Sequence, residues 1–387
     1  MNVGDPGLIL VGVGGGGCRL AAAAMAAFGP GLRAIGFDTD ALDARGLGVM
    51  RCILLGVAQL DGHGTGGDSV KGRGAATYDA ESVRTALSDV RTAVVVAALG
   101  GGVGSGATPE ILRLLRGMGV ATICFATQPF GFEGQNRCNL AARGLAQIEE
   151  HADATVVVPL DGLFQDAGGR NFKDAIRLAG EKISAGLTLF WRLLLTPGFI
   201  RIDVEQLRGM LLQGGGRCRF GAVEASGSDR AGTAVQRLRE CALLGSGEAL
   251  RNAHALALGV LGGEDLRLAE LSAISAGVQA ACPPGVHVRL GTVLDPRFGD
   301  TLHLAALAFE TWREPAAKPA ADEPVATATV TGLVPPAAPS RTRPGHASKL
   351  SFGPIGRGRF RDVEPTFADG KDLDIPTYQR QRIALEP

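Results

Sequence analysis

The stretch LGGGVGSGATP, Leu99–Pro109, decides how the chain is read. Before it, Thr92–Ala98 is a run of apolar and β-branched residues, which predicts a buried strand. After it, Glu110–Met118 carries apolar residues at helical spacing. Strand, glycine-dense turn and helix together make an anion site: glycine lets backbone approach a ligand, and the free N–H groups of a helix start face negative charge. The competing reading is a tight turn that binds nothing. Five glycines within Leu99–Ala107 weigh against it, because each costs conformational entropy on folding.

The same grammar recurs at the N-terminus. Leu8–Val13 predicts a short strand running into Gly14–Gly17 and an Ala-rich helix over Arg19–Phe28. Ile35–Phe37 predicts a second strand, ending in Asp38-Thr39-Asp40. A dinucleotide-binding domain shares this βαβ pattern, but its glycines are spaced whereas these four are contiguous. Arg51–Val57, Ala121–Ala126 and Thr155–Val158 predict further strands, and Tyr78–Asp89 and Asn136–His151 further helices. Asp61–Gly74 is a glycine-rich loop, read either as a lid over a ligand or as a flexible surface loop. Alternating strands and helices imply an α/β fold with a doubly wound parallel sheet and a ligand beyond the strands' carboxyl ends.

Phe172–Leu195 predicts a long central helix, apolar nearly all round at its end and stopped by Thr196-Pro197-Gly198. From Arg217 to Trp312 the pattern changes to a smaller α+β domain. From Arg313 onward the chain is rich in Pro and Ala, which predicts a disordered linker. Its last segment, around Asp372–Tyr378, sets apolar anchors among charges and suits folding into a partner's groove. The boundaries read this way are 1–171, 172–195, 196–312, 313–371 and 372–387.

Composition narrows the function classes. Lys+Arg and Asp+Glu both number 39, so no net positive field argues for nucleic acid. The seven cysteines are scattered without metal-ligand spacing, which favours free thiols over a disulfide framework. Leu187–Leu195 is too short to span a bilayer and contains Arg192. A soluble, cytoplasmic protein with no direct membrane insertion is expected.

GVGGGG at Gly12–Gly17, DTDA at Asp38–Ala41, GGGVGSGATP at Gly100–Pro109, PFGFEG at Pro129–Gly134 with Arg137, EASGSDRA at Glu224–Ala231 and LGTVLDP at Leu290–Pro296 occur in one order. With the terminal DLDIPTYQR, the chain resembles the FtsZ family, the bacterial relatives of tubulin. The resemblance covers roughly residues 8–312 plus the last segment.

That resemblance implies a GTP-binding, tubulin-like protein that polymerises head to tail into a division-ring filament and hydrolyses GTP to GDP at subunit contacts. Gly15, Gly16, Gly17, Cys18 and Arg19 of the first glycine phrase, and Gly101, Gly102, Val103, Gly104, Ser105 and Gly106 of the second, would wrap the phosphates. Glu133 would accept from the ribose hydroxyls, Arg137 would lie against the ribose–phosphate part, and Gly180 or Glu181 would read the base. Magnesium would be held mainly by phosphate oxygens. Asp203, with Gln206 and Glu205, would act on the next subunit's nucleotide. Asp374, Ile375, Pro376 and Tyr378 would dock onto a membrane-linked adaptor.

Several positions depart from the family pattern. Arg201 and Gln206 replace an asparagine and an acid of the catalytic loop, Val103 replaces a threonine, and Arg19 and Leu160 replace asparagines. These changes imply weakened hydrolysis and leave guanine specificity the least secure part of the inheritance. They also admit a hydrolysis-deficient relative that binds nucleotide and co-assembles as a structural element.

Overall fold

A computed structural model describes residues 7–29, 31–48, 50–164, 172–196, 198–200, 202–312, 367–368 and 371–372. Ten strands are β1 (Leu8–Val13), β2 (Ala34–Asp38), β3 (Arg51–Leu54), β4 (Thr92–Ala98), β5 (Ala121–Gln128), β6 (Ala154–Pro159), β7 (Gly216–Ala225), β8 (Ala255–Gly262), β9 (His287–Leu294) and β10 (Leu302–Phe309). Between them in the first half run α1 (Gly14–Phe28), α2 (Ala41–Arg45), α3 (Val57–Leu60), α4 (Ser69–Tyr78), α5 (Ala80–Ala86), α6 (Gly102–Gly117), α7 (Gln135–His151) and α8 (Leu160–Phe164). The second half adds α9 (Phe172–Leu195), α10 (Val204–Gly214), α11 (Arg230–Glu240), α12 (Glu248–Arg251) and α13 (Leu268–Gln279).

All ten strands join one sheet in the order β3-β2-β1-β4-β5-β6-β7-β10-β8-β9. Neighbours are parallel except at β10, which runs antiparallel to both β7 and β8. The sheet continues past the central helix because β7 pairs in parallel with β6 over Ala154↔Gly216 to Val156↔Cys218. The order reverses between β2-β1 and β1-β4, and this switch point opens a crevice beyond the carboxyl ends of β1 and β4.

Helices cover both faces, which explains why β4 is a nearly unbroken buried apolar run rather than an alternating one. On one face, α1, α9 and α10 meet Leu10, Val96 and Phe125 of the sheet. On the other, α4 to α7 cover the first strands, and α11 to α13 form a separate cluster with β8 and β10. The helix α9 buries Ile183, Leu187, Phe190, Trp191 and Leu194, spaced for one broad stripe. Phe190 meets Phe125 of β5 and Phe220 of β7 edge-to-face, with centroids 6.1 Å away in each case. That aromatic triad ties the long helix to both halves of the sheet.

The structure corrects the reading of the glycine stretches. Both are helix starts rather than turns: α6 begins at Gly102 and continues through Pro109, and α1 begins at Gly14. The glycines serve close approach. A Cβ on Gly104 would come within 1.9 Å of the Ala98 carbonyl oxygen, and one on Gly106 within 2.1 Å of the Ser69 carbonyl oxygen. Helix propensity argues against such a helix, but its neighbours leave no room for side chains. Asp61–Gly74 is likewise more ordered than a mobile loop. Asp68 caps α4, accepting from the Val70 and Lys71 N–H groups, and Thr65 is buried beneath Gly102.

Residues beyond Ala321 form a separate unit. Within it, Phe367 pairs with Asp372 and Ala368 with Lys371, in antiparallel fashion. Most of the expected linker, and Asp374, Ile375, Pro376 and Tyr378 of the expected docking peptide, lie outside the described residues.

Candidate functional site

The starts of α1 and α6 converge at the switch point. A Cβ on Gly14 would lie 3.0 Å from the Gly104 nitrogen and 3.3 Å from Val103 Cβ, while one on Gly16 would lie 2.5 Å from Ala98 Cβ. Neither helix has a side-chain cap at its N-terminus or an acidic residue in its first turn. Two sets of free N–H groups therefore meet with no carboxylate of their own in either first turn. Gly100, at φ +91°, turns the chain out of β4 and lets the Ser105 hydroxyl accept from its N–H at 2.9 Å.

Beside this junction lies a cavity of about 620 Å³. Its walls come from α1 (Gly16, Leu20, Ala23, Ala27), from Ala98, Thr127, Phe130 and Leu160, and from α9 (Gly180, Ile183, Ser184, Ala185). Arg19, Arg177 and Glu181 supply its charged part. Arg19 pairs with Asp43 at 3.1 Å, and Arg177 with Glu181 at 2.6 Å. The buried Ser184 hydroxyl in the wall has no hydrogen-bond partner among the described residues. A largely apolar cavity with a few polar groups, bordered by the uncapped start of α1 where it meets that of α6, fits an aromatic base joined to an anionic chain.

Asp38 ends β2 near this junction. Burial pushes its carboxyl up to about 6, with Asp43 and Asp40 adding repulsion against the bonds it accepts. One oxygen accepts from the Thr39 N–H at 2.7 Å, and the other has no hydrogen-bond partner among the described residues.

Residues 7–168 match the GTPase domain of the tubulin/FtsZ family, and residues 216–310 match the C-terminal domain of the FtsZ family. The chain belongs to the tubulin/FtsZ family. Among FtsZ relatives, it is 29% identical over 307 residues to cell division protein FtsZ 1 of Rhizobium meliloti, covering 78% of this chain and 51% of that one. It therefore spans about half the length of that relative. With FtsZ 2 of the same organism it shares 29% over 338 residues, 87% of this chain and 96% of the other. Its fold is similar to the empty FtsZ dimer of M. jannaschii, with a TM-score of 0.73, 26% identity, and 78% and 87% of the two chains covered. It is also similar to CetZ2 from Haloferax volcanii, solved as a GTPγS-bound protofilament, with a TM-score of 0.67, 24% identity, and 79% and 94% covered. The latter likeness concerns the fold alone.

In this tubulin/FtsZ frame, the residues singled out from the sequence fall into three places. Gly15 to Arg19 and Gly102 to Gly106 occupy the first turns of α1 and α6, with Gly101 as the N-cap residue of α6. Gly16, Arg19, Gly180 and Glu181 line the cavity. Cys18 turns its side chain to the sheet, where its thiol donates to the Gly12 carbonyl at 3.3 Å, so only its backbone faces the junction. Glu133 accepts from the Phe130 N–H at 2.9 Å and pairs with Arg137 at 3.0 Å, so it braces its own turn. Arg137 also sets its backbone carbonyl against Gly100.

Asp203, Glu205 and Gln206 sit apart from the others. Asp203 caps α10, accepting from the Gln206 N–H at 2.7 Å, and Glu205 lies 3.8 Å from Arg208. They follow the far end of α9. Residues 177 to 195 span about 27 Å at helical rise. Arg201 is outside the described residues. Sequence reading missed Arg177 and Ser184 as cavity residues. Their spacing with Gly180 and Glu181, at i, i+3, i+4 and i+7, marks one helix face and was the available signal.

Proposed function

We propose that the protein binds GTP at the junction of α1 and α6 and polymerises head to tail. In this reading it hydrolyses GTP where subunits meet and forms filaments at the division ring. The observation that carries the reading is the convergence of two uncapped, glycine-lined helix starts beside an apolar cavity. The phosphates would lie against the N–H groups of both starts and the base in the cavity. Among the described residues, no group of three or more His, Cys, Asp or Glu side chains is arranged to hold a metal. Magnesium would then be held mainly by phosphate oxygens.

Asp203, Glu205 and Gln206, at the start of α10 beyond the far end of α9, would lie too far from the cavity to reach their own nucleotide. A neighbouring subunit stacked end to end would bring them to it, and catalysis would be positioning and electrostatics. No helix among the described residues is long and apolar enough to cross a membrane. Attachment at the division site would fall to Asp374, Ile375, Pro376 and Tyr378, bound by a membrane-linked adaptor.

The test is titration with GTP and with ATP, followed by sedimentation and phosphate release in magnesium. Binding, pelleting and turnover with GTP alone are expected. Filaments without turnover would favour the hydrolysis-deficient structural relative. A protein indifferent to guanine nucleotides would end the proposal.

A further inference from the structure

Two cysteines meet directly behind the first helix start. Cys18 of α1 is fully buried, whereas Cys52 lies partly exposed on β3, the edge strand of the sheet. Between them is Gly36 of β2, which pairs in register with Cys52. A Cβ at Gly36 would lie 2.9 Å from Cys18 Sγ and 3.2 Å from Cys52 Sγ, so both sulfurs converge on the space its missing side chain leaves. The two thiols are close enough to perturb each other's ionisation. We propose that Cys18 and Cys52 are an oxidative modification site, a dithiol that hydroperoxides close to an intramolecular disulfide.

The chemistry divides between the two residues. The neighbouring Cys18 side chain holds the Cys52 thiol below the ordinary thiol range. The proximity of Cys52, then burial, pushes Cys18 far above it. Cys52 therefore supplies the thiolate, on the side solvent can reach, and Cys18 keeps its proton. The Cys52 thiolate attacks hydrogen peroxide and breaks the O–O bond, giving a sulfenic acid and hydroxide. Cys18 gives its proton to that hydroxide, making the first water, and its sulfur attacks the Cys52 sulfur; the S–O bond breaks, and the departing hydroxide takes up the proton that Cys52 released on ionising, making the second. Two thiols and one peroxide give one disulfide and two waters. Burial pushes the Cys124 and Cys218 thiols up, which disfavours the same reaction there.

The bridge reaches the candidate nucleotide site. Cys18 directly follows Gly17, and its thiol now donates to the Gly12 carbonyl at 3.3 Å. A Cβ on Gly12 would come within 2.7 Å of Cys18 Cα, so the first turn of α1 rests closely on β1. Linking Cys18 to the edge strand removes the bond to Gly12 and shifts the N–H groups of Gly15 to Gly17. This consequence, unlike the disulfide itself, rests on the reading of that junction as a GTP site.

The experiment treats the reduced full-length chain with hydrogen peroxide, blocks remaining thiols, digests with trypsin and maps linked peptides by mass spectrometry. The expected product joins Met1–Arg19 to Cys52–Lys71, disappears with dithiothreitol, and lowers GTP affinity by about tenfold. Cys52→Ser is expected to bind GTP as the reduced parent does and to lose the peroxide response. No linked peptide, a link between other cysteines, or Cys52 oxidised to sulfinic acid without Cys18 overturns the proposal. A link that leaves GTP affinity unchanged overturns the coupling. A reduced protein that never binds GTP, yet forms the link, overturns the GTP reading and leaves the dithiol standing.

Discussion

The two ends of α9 are built from opposite materials. At its beginning, Gly180 and Glu181 border an open cavity, and the Arg177–Glu181 pair is more than half exposed at 58% and 55%. At its end, Arg192 is buried, pairs with Asp295 at 3.2 Å and lies over the rings of Phe28 and Phe298. An open cavity at one end and dense core at the other suit a helix that acts as a strut, keeping the cavity and the Asp203 carboxylate apart. Under the proposed function, each molecule would hold both halves of a reaction but complete neither alone.

Changing the far end alone is the strongest way to break that comparison. Asp203→Ala is expected to lower phosphate release by at least about 100-fold while GTP affinity changes less than about twofold. The substitution also removes the cap of α10, which costs about 1 kcal/mol. Asp203→Asn keeps a capping oxygen and separates the two effects. Turnover and equilibrium binding, measured on both variants, are the readouts. A parallel fall in GTP affinity would mean that the two ends are not independent.

At the cavity end, the glycines are expected to answer to their neighbours. Gly104→Ala drives a Cβ onto the Ala98 carbonyl oxygen at 1.9 Å, backbone against backbone, and is expected to cost about 3 kcal/mol and abolish GTP binding. Gly101→Ala meets nothing within 4 Å and is expected to stay within about 0.5 kcal/mol of the parent. Urea unfolding of the pair sharpens the claim that these glycines serve close approach.

That distinction also marks how much was legible in the chain itself. The strands β1 and β4 to β6 are apolar or β-branched runs, and their alternation with helices leads to the parallel sheet. The start of α6 was hidden because Gly104 and Gly106 look the same whether they make a turn or admit a neighbouring backbone. Only the position of Ala98 and Ser69 decides between these. Glu133 and Arg137 are reached through the family resemblance, but their pairing with each other depends on the turn at Gly131–Gly134. The antiparallel insertion of β10 between β7 and β8 follows from tertiary packing, which no local pattern encodes.

The core end should tolerate more than its ion pair implies. Arg192→Leu removes a guanidinium whose charge burial already penalises. Asp295 is left with Arg297, which donates to it at 2.6 Å. The expected loss is therefore about 2 kcal/mol rather than the full cost of stranding a buried charge. Urea midpoints measure it, and GTP affinity is expected to hold. If affinity falls, the strut transmits strain from one end to the other.

The one expected gain is at Asp38. In the unfolded chain its carboxyl titrates near 3.8, and in the folded chain near 6. Between those values the native state holds more protons than the unfolded state, so this group makes stability fall as pH rises from about 4 to about 6, after which its effect levels off. Asp38→Asn removes that dependence and the repulsion from Asp43 and Asp40. The variant is expected to be more stable than the parent by about 2 kcal/mol at pH 7, and equal to it within a few tenths at pH 4. Urea unfolding at the two pH values decides it. A variant that loses stability at pH 7 would mean that the second Asp38 oxygen finds a donor that an amide cannot replace. The cavity end would then be as closely satisfied as the core end.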